Sequence, residues 1–309
     1  MAILKGWDVL HGNQFGTREI NAIMKNASFF EKELKKKGTV PLLRGKLLAT
    51  LFYEPSTRTR LSFETAMQRL GGGVISMGSI EASSVAKGET LSDTVRTVAQ
   101  YADVIVLRHP KTGSAKEAAD AVDIPVLNAG DGTGQHPTQG LLDLYTTLKE
   151  RGSLKKLKIA MVGDLKNGRT VHALAEMLSL FGAKIYCVSP ASLRMPQEIV
   201  ESLRQKGVAV AETEDLKEAG ADVDLIYMTR IQKERFADIS EYERVKGFYV
   251  IDSEFLKGLK KKVTLMHPLP RVDEISPDVD TYPGAAYFRQ ARNGVYVRMA
   301  LLAMVLGKR

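Results

Sequence analysis

Short apolar runs alternate with segments of helical periodicity along most of the chain, and this alternation limits the fold more than any single motif does. Continuous apolar runs of roughly four to eight residues, bounded by turn residues, are typical of strands buried on both faces of a sheet. Amphipathic segments between such strands are typical of helices that cover a parallel sheet. The sequence therefore predicts an α/β fold in which parallel sheets are flanked by helices.

The apolar runs form two cycles, which suits two domains in a chain of 309 residues. The first cycle contains predicted strands at 46–53, 73–77, 103–110 and 124–134. The second contains predicted strands at 155–164, 183–190, 208–212, 224–231, 248–252 and 262–270. We predict a first domain over 1–149, a second domain over 150–289, and an apolar C-terminal helix over 290–309 that returns to the first domain. A helix near 138–150 would join the two.

Composition argues against several classes of protein. No apolar stretch reaches the roughly 18 residues that a membrane-spanning helix needs. The single cysteine, Cys187, lies in an apolar strand-like run, which favours an inert buried thiol and fits a reducing cytoplasm. The net charge of +8 would suit nucleic acid, but the basic clusters at 32–38 and 257–263 are short and match no nucleic-acid-binding motif. Small anionic substrates are the alternative explanation for this charge.

Arginine and histidine are concentrated directly after the predicted strands. The segments that follow six of these strands read EPSTRTR, RHP, NAGDGTGQHPTQ, GDLKNGRT, MTRIQKER and HPLPR. In open parallel sheets, ligands bind outside the carboxyl ends of the strands. These side chains are therefore candidates for an anion-binding site.

The segment EPSTRTR at 54–60 has the character of a phosphate site. Ser56 or Thr57 is expected at the N-cap of the following helix, where backbone N–H groups and the helix dipole favour an anion. The hydroxyls of Ser56, Thr57 and Thr59 and the forked donor set of Arg58 would surround one phosphate. The alternative is an ordinary serine cap followed by solvated arginines, but two cations at a helix N-terminus favour the phosphate site. Arg60 would either contact the substrate or support the loop.

Other common sites find no support in the sequence. Neither a G-x-G-x-x-G nor a G-x-x-x-x-G-K-[ST] pattern occurs, so no nucleotide cofactor is expected. The histidines form no metal-binding pair, so no metal is expected. His136 and His267, each followed by proline, are either site residues or ordinary buried histidines. No arrangement of serine, histidine and aspartate suggests a covalent intermediate.

Seven segments, in this order, resemble the aspartate and ornithine carbamoyltransferase family over nearly the whole chain: FYEPSTRTRLSFE, KGETLSDT, RHP, NAGDGTGQHPTQGLLDL, MVGDLKNGRTVHALA, YMTRIQKER and LMHPLPRVDEI. HPLPR and MTRIQKER resemble the aspartate branch, whereas the ornithine branch would carry a cysteine in the first of them. The resemblance implies transfer of the carbamoyl group of carbamoyl phosphate to L-aspartate in pyrimidine synthesis, without a metal, cofactor or covalent intermediate. The charges at the strand ends agree with the aspartate branch, because both substrates are anionic and the arginines there outnumber the acidic residues Asp131 and Asp164.

The resemblance also assigns roles to individual residues. Carbamoyl phosphate would be bound in the first domain, with help from two carbonyl groups of the second, by Ser56, Thr57, Arg58, Thr59, Arg108, His136, Gln139, Pro268 and Leu269. The catalytic residues would be Arg58, Thr59, Arg108 and His136, of which the last three would stabilise the oxyanion on the carbamoyl oxygen. L-Aspartate would be bound in the second domain by Arg169, Arg230 and Gln232.

The segment ASSVAKGET at 82–90 has two interpretations. It is either an ordinary surface loop or, as the resemblance implies, the source of Ser83 and Lys87 for the active site of a neighbouring subunit in a cytoplasmic homotrimer. Asn167 stands where some relatives are expected to have an aromatic residue, which leaves the packing of its loop open. The rival functions are a carbamoyltransferase for another amine, such as ornithine, and a basic nucleic-acid-binding module. The sequence leaves the presence of a regulatory chain open.

Overall fold

The computed structural model describes residues 3–77, 84–132, 134–236 and 238–309. The chain divides into two compact units, Met1–Tyr145 with Arg292–Arg309 and Thr146–Ala291. Each unit contains a parallel sheet flanked by helices, so the predicted fold class is confirmed. In the described ranges, no helix has the length and apolar character needed to cross a membrane.

The first unit has a sheet of four parallel strands in the order β2-β1-β3-β4. These strands are β1 (Leu47–Phe52), β2 (Gly73–Ser76), β3 (Val104–His109) and β4 (Val126–Asp131). The helices are α1 (Thr17–Lys37), α2 (Thr57–Arg69), α3 (Leu91–Ala99), α4 (Ser114–Asp120) and the start of α5 (Pro137–Arg151). All the strands predicted in the first cycle are thereby confirmed.

Helix α2 illustrates how the sequence pattern determines the packing of this unit. Phe63, Ala66, Met67 and Leu70 are spaced at i, i+3, i+4 and i+7, and all four are fully buried. The strands bury both faces, because Leu48 and Ala49 point to opposite sides of β1 and neither is exposed by more than 1%. Continuous burial explains why the strands read as unbroken apolar runs.

The C-terminal helix α11 (Tyr287–Val305) belongs to the first unit from Arg292 onwards, so its predicted return is confirmed. Its side chains are buried continuously from residue 299 to residue 305, and each fully buried leucine or methionine contributes about 1.5–3 kcal/mol of burial free energy. The N–H of Gly6 donates to the carbonyl of Val305 over 2.9 Å. The Arg309 guanidinium lies 3.6 Å from the centre of the Phe29 ring.

The second unit has a sheet of five parallel strands in the order β7-β6-β5-β8-β9. These strands are β5 (Lys158–Val162), β6 (Lys184–Val188), β7 (Ala209–Thr213), β8 (Leu225–Met228) and β9 (Thr264–Met266). The helices after α5 are α6 (Arg169–Ser179), α7 (Gln197–Gln205), α8 (Leu216–Gly220), α9 (Ile239–Val245) and α10 (Ser253–Lys257).

The prediction of a strand at 248–252 is wrong. This segment makes only a single parallel bridge, between Ile251 and Ile275, and does not join the sheet. Tyr249 and Ile251 are buried while Phe248 and Val250 are exposed, so the segment has the alternation of a strand. The place beside β8 is occupied by β9, and no position in the sheet remains for the segment on that side.

Candidate active site

Each sheet has one switch point, at which the chain begins to add strands on the other side of the first strand. In the first unit this point lies between β1 and β3, and in the second it lies between β5 and β8. Open α/β sheets bind ligands outside the carboxyl ends of the strands at such points. The predicted arginines lie at the carboxyl ends of these four strands. Arg58 follows β1, Arg169 follows β5 and Arg230 follows β8, while Arg108 and His109 are the last two residues of β3.

The EPSTRTR segment forms the start of α2, with Ser56 at the N-cap. The Ser56 side chain makes no capping hydrogen bond to the described residues of the helix, and the first turn of α2 contains no acidic residue. Thr57 and Arg58 are exposed, whereas Thr59 is buried. The helix N-terminus therefore presents N–H groups, hydroxyls and a guanidinium without a capping carboxylate of its own, an arrangement that suits an anion.

Arg60 lies on the same helix and is held by the helix itself. Its Nε is 3.6 Å from Glu64 Oε1 in an i,i+4 pair, and the Arg60 side chain is partly exposed. Of the two roles that the sequence left open for Arg60, this contact is compatible with support of the loop.

Arg108 is oriented by two groups of the first unit. Its Nε lies 3.3 Å from Glu54 Oε2, and its Nη1 donates to the carbonyl of Ala129 over 3.2 Å. Register brings the two segments together, because Phe52 of β1 pairs with Arg108 of β3. The Arg108 side chain is 16% exposed, so its charge lies in a partly desolvated setting where it acts strongly on a nearby anion.

His136 and Gln139 lie at the start of α5, and both are buried. His136 Nε2 lies 3.5 Å from Thr59 Oγ1, so the structure brings these two predicted residues together. Gln139 Nε2 donates to Asp143 Oδ1 over 2.9 Å, which leaves the amide oxygen of Gln139 as the acceptor for a ligand N–H group.

Sequence reasoning missed the residue that shapes the loop before His136. Asp131 is buried, and its Oδ1 accepts hydrogen bonds from Asn128 Nδ2 and from the N–H of Gln135, each over 3.0 Å. Its Oδ2 accepts from the N–H of Gly113 over 2.8 Å. A buried carboxylate that accepts hydrogen bonds from several backbone N–H groups typically fixes the conformation of a loop. The signal available in the sequence was an aspartate between two glycines at a strand end, Gly130 and Gly132.

In the second unit, the loops after β5 and β8 lie side by side. Gln232 Nε2 donates to the carbonyl of Asn167 over 3.2 Å, which links the loop of Arg230 to the loop of Arg169. Asn167 is itself held by Asp164, whose Oδ1 accepts from the Asn167 N–H over 2.9 Å and from its Nδ2 over 3.1 Å. The unexpected residue at 167 therefore has a defined role, because its side chain packs the loop through hydrogen bonds.

Arg230 is oriented by an acidic neighbour. Its Nη1 donates to Glu234 Oε2 over 3.0 Å, and its Nη2 donates to Glu234 Oε1. These hydrogen bonds lower the pKa of Glu234, although its partial burial opposes them. Arg230 also lines a cavity of about 210 Å³, whose charged lining consists of the cations Arg230, Lys233 and Lys246 and the acidic residues Asp273 and Glu274.

Pro268 and Leu269 follow β9, in the second unit, and both are half-buried. The Leu269–Pro270 peptide is cis, and Leu269 has a φ of +59°. His267, the first residue of this segment, is 1% exposed. The structure therefore gives His267 the buried position that was one of its two interpretations.

Three further predictions concern residues away from the strand ends. Cys187 is buried in β6, as predicted, and burial raises the pKa of its thiol to about 12, which favours an inert thiol. Lys87 is exposed at the end of a short 3₁₀-helix, Ser84–Lys87. Ser83 lies outside the described residues.

Two family models match consecutive parts of the chain. The carbamoyl-phosphate-binding domain of aspartate/ornithine carbamoyltransferases matches residues 8–149, and the aspartate/ornithine-binding domain matches residues 155–305. Among curated relatives, the aspartate carbamoyltransferase catalytic subunit of Methanothrix thermoacetophila is 57% identical over 98% of this chain and 99% of its own length. The protein of the same name from Thermococcus onnurineus is 55% identical over 98% of each chain.

Solved structures agree with these matches. Aspartate transcarbamoylase of Trypanosoma cruzi, in complex with carbamoyl phosphate and aspartate, superimposes with a TM-score of 0.95 at 43% identity, over 99% of this chain and 98% of the other. The catalytic subunit of the M. jannaschii enzyme gives a TM-score of 0.90 at 53% identity, over 97% of each chain. The two family models together span most of both units, and the relatives and solved structures cover 97–99% of the chain. The chain belongs to the aspartate/ornithine carbamoyltransferase family.

Proposed function

We propose that the chain catalyses the transfer of the carbamoyl group of carbamoyl phosphate to the amine of L-aspartate, with N-carbamoyl-L-aspartate and phosphate as products. Eight relatives that match nearly the whole chain at 52–57% identity are named aspartate carbamoyltransferase catalytic subunits. The reaction requires a site for a phosphorylated acyl donor and a site for a dicarboxylate amine. Its product is a precursor for pyrimidine synthesis.

The burial and hydrogen bonding of Asp164 support L-aspartate, and not ornithine, as the amine substrate. An ornithine site would need a carboxylate for the distal ammonium, and Asp164 is the acidic residue at the end of β5. Asp164 is fully buried, and both its oxygens accept hydrogen bonds from Asn167. Arg169 and Arg230 follow the same pair of adjacent strands, and they would bind the two carboxylates of aspartate. Both Nη atoms of Arg230 donate to Glu234 in this structure, so the substrate carboxylate would replace or share that contact. Gln232 would complete this aspartate site.

Carbamoyl phosphate is assigned to the N-terminus of α2. Ser56, Thr57, Arg58 and Thr59 would hold its phosphate by hydroxyl, backbone N–H and guanidinium donors. Gln139 and the carbonyls of Pro268 and Leu269 would accept hydrogen bonds from its NH₂ group. Thr59, Arg108 and His136 would donate to its carbonyl oxygen, and the contact between His136 and Thr59 supports this shared role.

The mechanism follows from these assignments. The amine nitrogen of aspartate attacks the carbamoyl carbon, and negative charge develops on the carbonyl oxygen. Donors fixed in position before the reaction stabilise that oxyanion without reorganisation. The carbon–oxygen bond to phosphate then breaks, and the departing phosphate accepts the proton of the amine. The protein supplies positioning and electrostatic stabilisation, and His136 polarises the carbonyl.

The variant Arg58→Ala tests the phosphate assignment. We expect kcat/KM to fall below about 1% of the wild-type value, because a positioned cation on the departing phosphate is lost. Arg18→Ala is the matched control, since Arg18 is an exposed arginine of α1. Unchanged thermal unfolding of both variants would separate catalysis from folding. Near-normal kcat/KM for Arg58→Ala would refute the phosphate assignment.

An assay with each amine tests the substrate. Wild-type protein, carbamoyl phosphate and either L-aspartate or L-ornithine should give product with aspartate only. Product with ornithine at a comparable kcat/KM would establish the rival transferase. Binding to DNA or RNA that weakens steeply with salt, without transferase activity, would favour the nucleic-acid-binding rival.

A cytoplasmic homotrimer with shared active sites is part of the same proposal. Large apolar side chains are exposed on the edge strand β2 and in its surroundings, and such a surface suits a subunit interface. These side chains are Leu47, Leu61, Ile75 and Tyr101. Ser83 and Lys87 would enter the site of a neighbouring subunit. The single buried cysteine suits a reducing compartment. The name "catalytic subunit" of the relatives raises the further proposal that a regulatory chain binds.

Subunit mixing tests the shared site. Arg58→Ala and Lys87→Ala proteins, each inactive alone, should recover activity after exchange, because some sites then contain neither substitution. The native mass should equal three times the chain mass of 34.0 kDa. No recovery in exchanged trimers would refute the contribution of Lys87, and a monomeric mass would refute the trimer.

A further inference from the structure

The segment after β9 has an unfavourable backbone conformation that its surroundings must stabilise. Leu269 has a φ of +59°, in the left-handed region that side chains other than glycine rarely adopt. Such a conformation costs roughly 1–3 kcal/mol and persists only where the surroundings enforce it. The carbonyls of Pro268 and Leu269, which the proposed function assigns to the carbamoyl NH₂ group, lie within this segment.

The imidazole of His267 makes the contact that stabilises this conformation. Its Nδ1 accepts a hydrogen bond from the Leu269 N–H over 2.8 Å. Its Nε2 lies 2.6 Å from Glu274 Oε1. Because Nδ1 accepts, the proton of the ring is on Nε2, which donates to Glu274. The backbone N–H of His267 donates to Gln290 Oε1 over 2.9 Å, so both the ring and the main chain of His267 are held.

Glu274 determines which ring nitrogen carries the proton. It is 5% exposed, and its Oε2 accepts from the N–H groups of Val272 and Asp273, each over 3.2 Å. Burial alone would raise the pKa of Glu274, but the hydrogen bond from His267 and the backbone donors lower it overall. An ionised carboxylate only accepts hydrogen bonds, so it requires a proton on Nε2 of the ring.

We propose that His267 and Glu274 are positioning residues for the carbamoyl group. Glu274 holds His267 in the tautomer whose Nδ1 accepts from Leu269, and His267 in turn orients the carbonyls of Pro268 and Leu269 towards the NH₂ group of the substrate. In this proposal both side chains act on the carbamoyl group through the backbone of Pro268 and Leu269. The inference rests on the proposed function, because it assigns these carbonyls to carbamoyl phosphate. Partners of this kind behind a ligand commonly change affinity or activity by about 10–100-fold.

Two substitutions of His267 separate its two contacts. In His267→Gln, the amide nitrogen takes the place of Nε2, so the contact with Glu274 remains while the acceptor for Leu269 is lost. In His267→Asn, the amide oxygen takes the place of Nδ1, so the acceptor for Leu269 remains. The second variant is combined with Glu274→Gln, because a buried carboxylate without its partner would destabilise the protein. The control is Glu254→Gln, an exposed glutamate of α10 in the same unit.

Carbamoyl phosphate and inorganic phosphate are the probes. Inorganic phosphate has no NH₂ group, so its inhibition constant reports general damage to the site. For His267→Gln we expect kcat/KM for carbamoyl phosphate to fall about 10–100-fold, with the inhibition constant of phosphate unchanged. Glu274→Gln should lose about 10-fold, and the double variant His267→Asn/Glu274→Gln should regain most of the activity that His267→Gln loses.

The possible failures are distinguishable. A wild-type chain that forms no carbamoyl aspartate refutes the proposed function and, with it, the positioning role. An active wild type matched by His267→Gln refutes the positioning role alone. An equal loss of affinity for both anions in His267→Gln, or a double variant as impaired as His267→Gln, also refutes it, since either result indicates a merely structural contact.

Discussion

The substitution Gly163→Ala should be strongly destabilising, because Gly163 allows the loops of Arg169 and Arg230 to lie side by side. Gly163 directly follows β5 with a φ of +110°. A Cβ atom at this position would lie 2.3 Å from the carbonyl oxygen of Thr229, the residue that precedes Arg230. Real Cβ atoms do not approach backbone oxygens so closely, so one of the two loops must move.

The expected loss of unfolding free energy in Gly163→Ala has two parts. The left-handed backbone costs an alanine roughly 1–3 kcal/mol. The overlap with backbone that cannot rotate away adds roughly 1–3 kcal/mol. Gly152→Ala is a matched control for the first part, because Gly152 has a φ of +75° and a Cβ there would meet nothing within 4 Å. The difference between the two variants therefore isolates the overlap, at about 1–3 kcal/mol.

Urea-induced unfolding at fixed protein concentration measures this difference, and steady-state kinetics measure its consequence. Because Thr229 precedes Arg230, a shift of either loop should raise KM for aspartate in Gly163→Ala and leave it unchanged in Gly152→Ala. A free energy of unfolding for Gly163→Ala within about 0.5 kcal/mol of that for Gly152→Ala would show that the loops are not in the described contact.

Three further predictions concern single groups. Cys187 should not react with a thiol reagent at mildly alkaline pH until the protein is unfolded, because burial raises the pKa of its thiol to about 12; rapid labelling of the folded protein would contradict this. Tyr145→Phe should lower the free energy of unfolding by about 2 kcal/mol, because Tyr145 Oη donates to the buried Glu31 over 2.7 Å; chemical denaturation measures the change. The hydrogen bonds from Ser253 and Ser276 lower the pKa of Asp278 from 3.8 to about 2, so its contribution to stability is complete above pH 3.8 and is lost as the pH falls towards 2. The stability difference between wild type and Asp278→Asn should therefore shrink over that interval in acid titrations, and a constant difference would refute the assignment.

Strands buried on both faces could be predicted because burial alone determines their composition. The run at 158–162 is almost entirely apolar, and it forms the central strand β5. The run at 248–252 has equally good strand character, but strand pairing is decided by what lies beside it, and β9 occupies the place next to β8. Competition between segments for one edge of a sheet depends on the whole fold, which a local pattern does not contain.

The residues that we assign to the substrates could be proposed from the sequence because most of them are polar or charged and lie at strand ends. The residues that hold them could not. Asp131 and Glu274 accept hydrogen bonds from neighbouring backbone N–H groups, and Asn167 donates to the carboxylate of Asp164. The sequence context of all three resembles that of any polar loop residue. Arg298 is a further example: it is fully buried, with its guanidinium 4.9 Å from the Phe63 ring, in a helix whose sequence indicated only a strongly apolar surface.

The charge at the helix start differs between two helices of the proposed site and two helices with acidic caps. Helices α8 and α10 begin with the aspartate caps Asp215 and Asp252, which complement the positive end of the helix dipole. Helices α2 and α6 have no acidic residue in the first turn and instead place Arg58 and Arg169 there. A cation at this end of a helix is unfavourable by about 0.3–1 kcal/mol at the surface. In the proposed site, an anionic substrate would weaken this unfavourable interaction at both helices, so part of its binding free energy would arise from the charge arrangement at the helix starts.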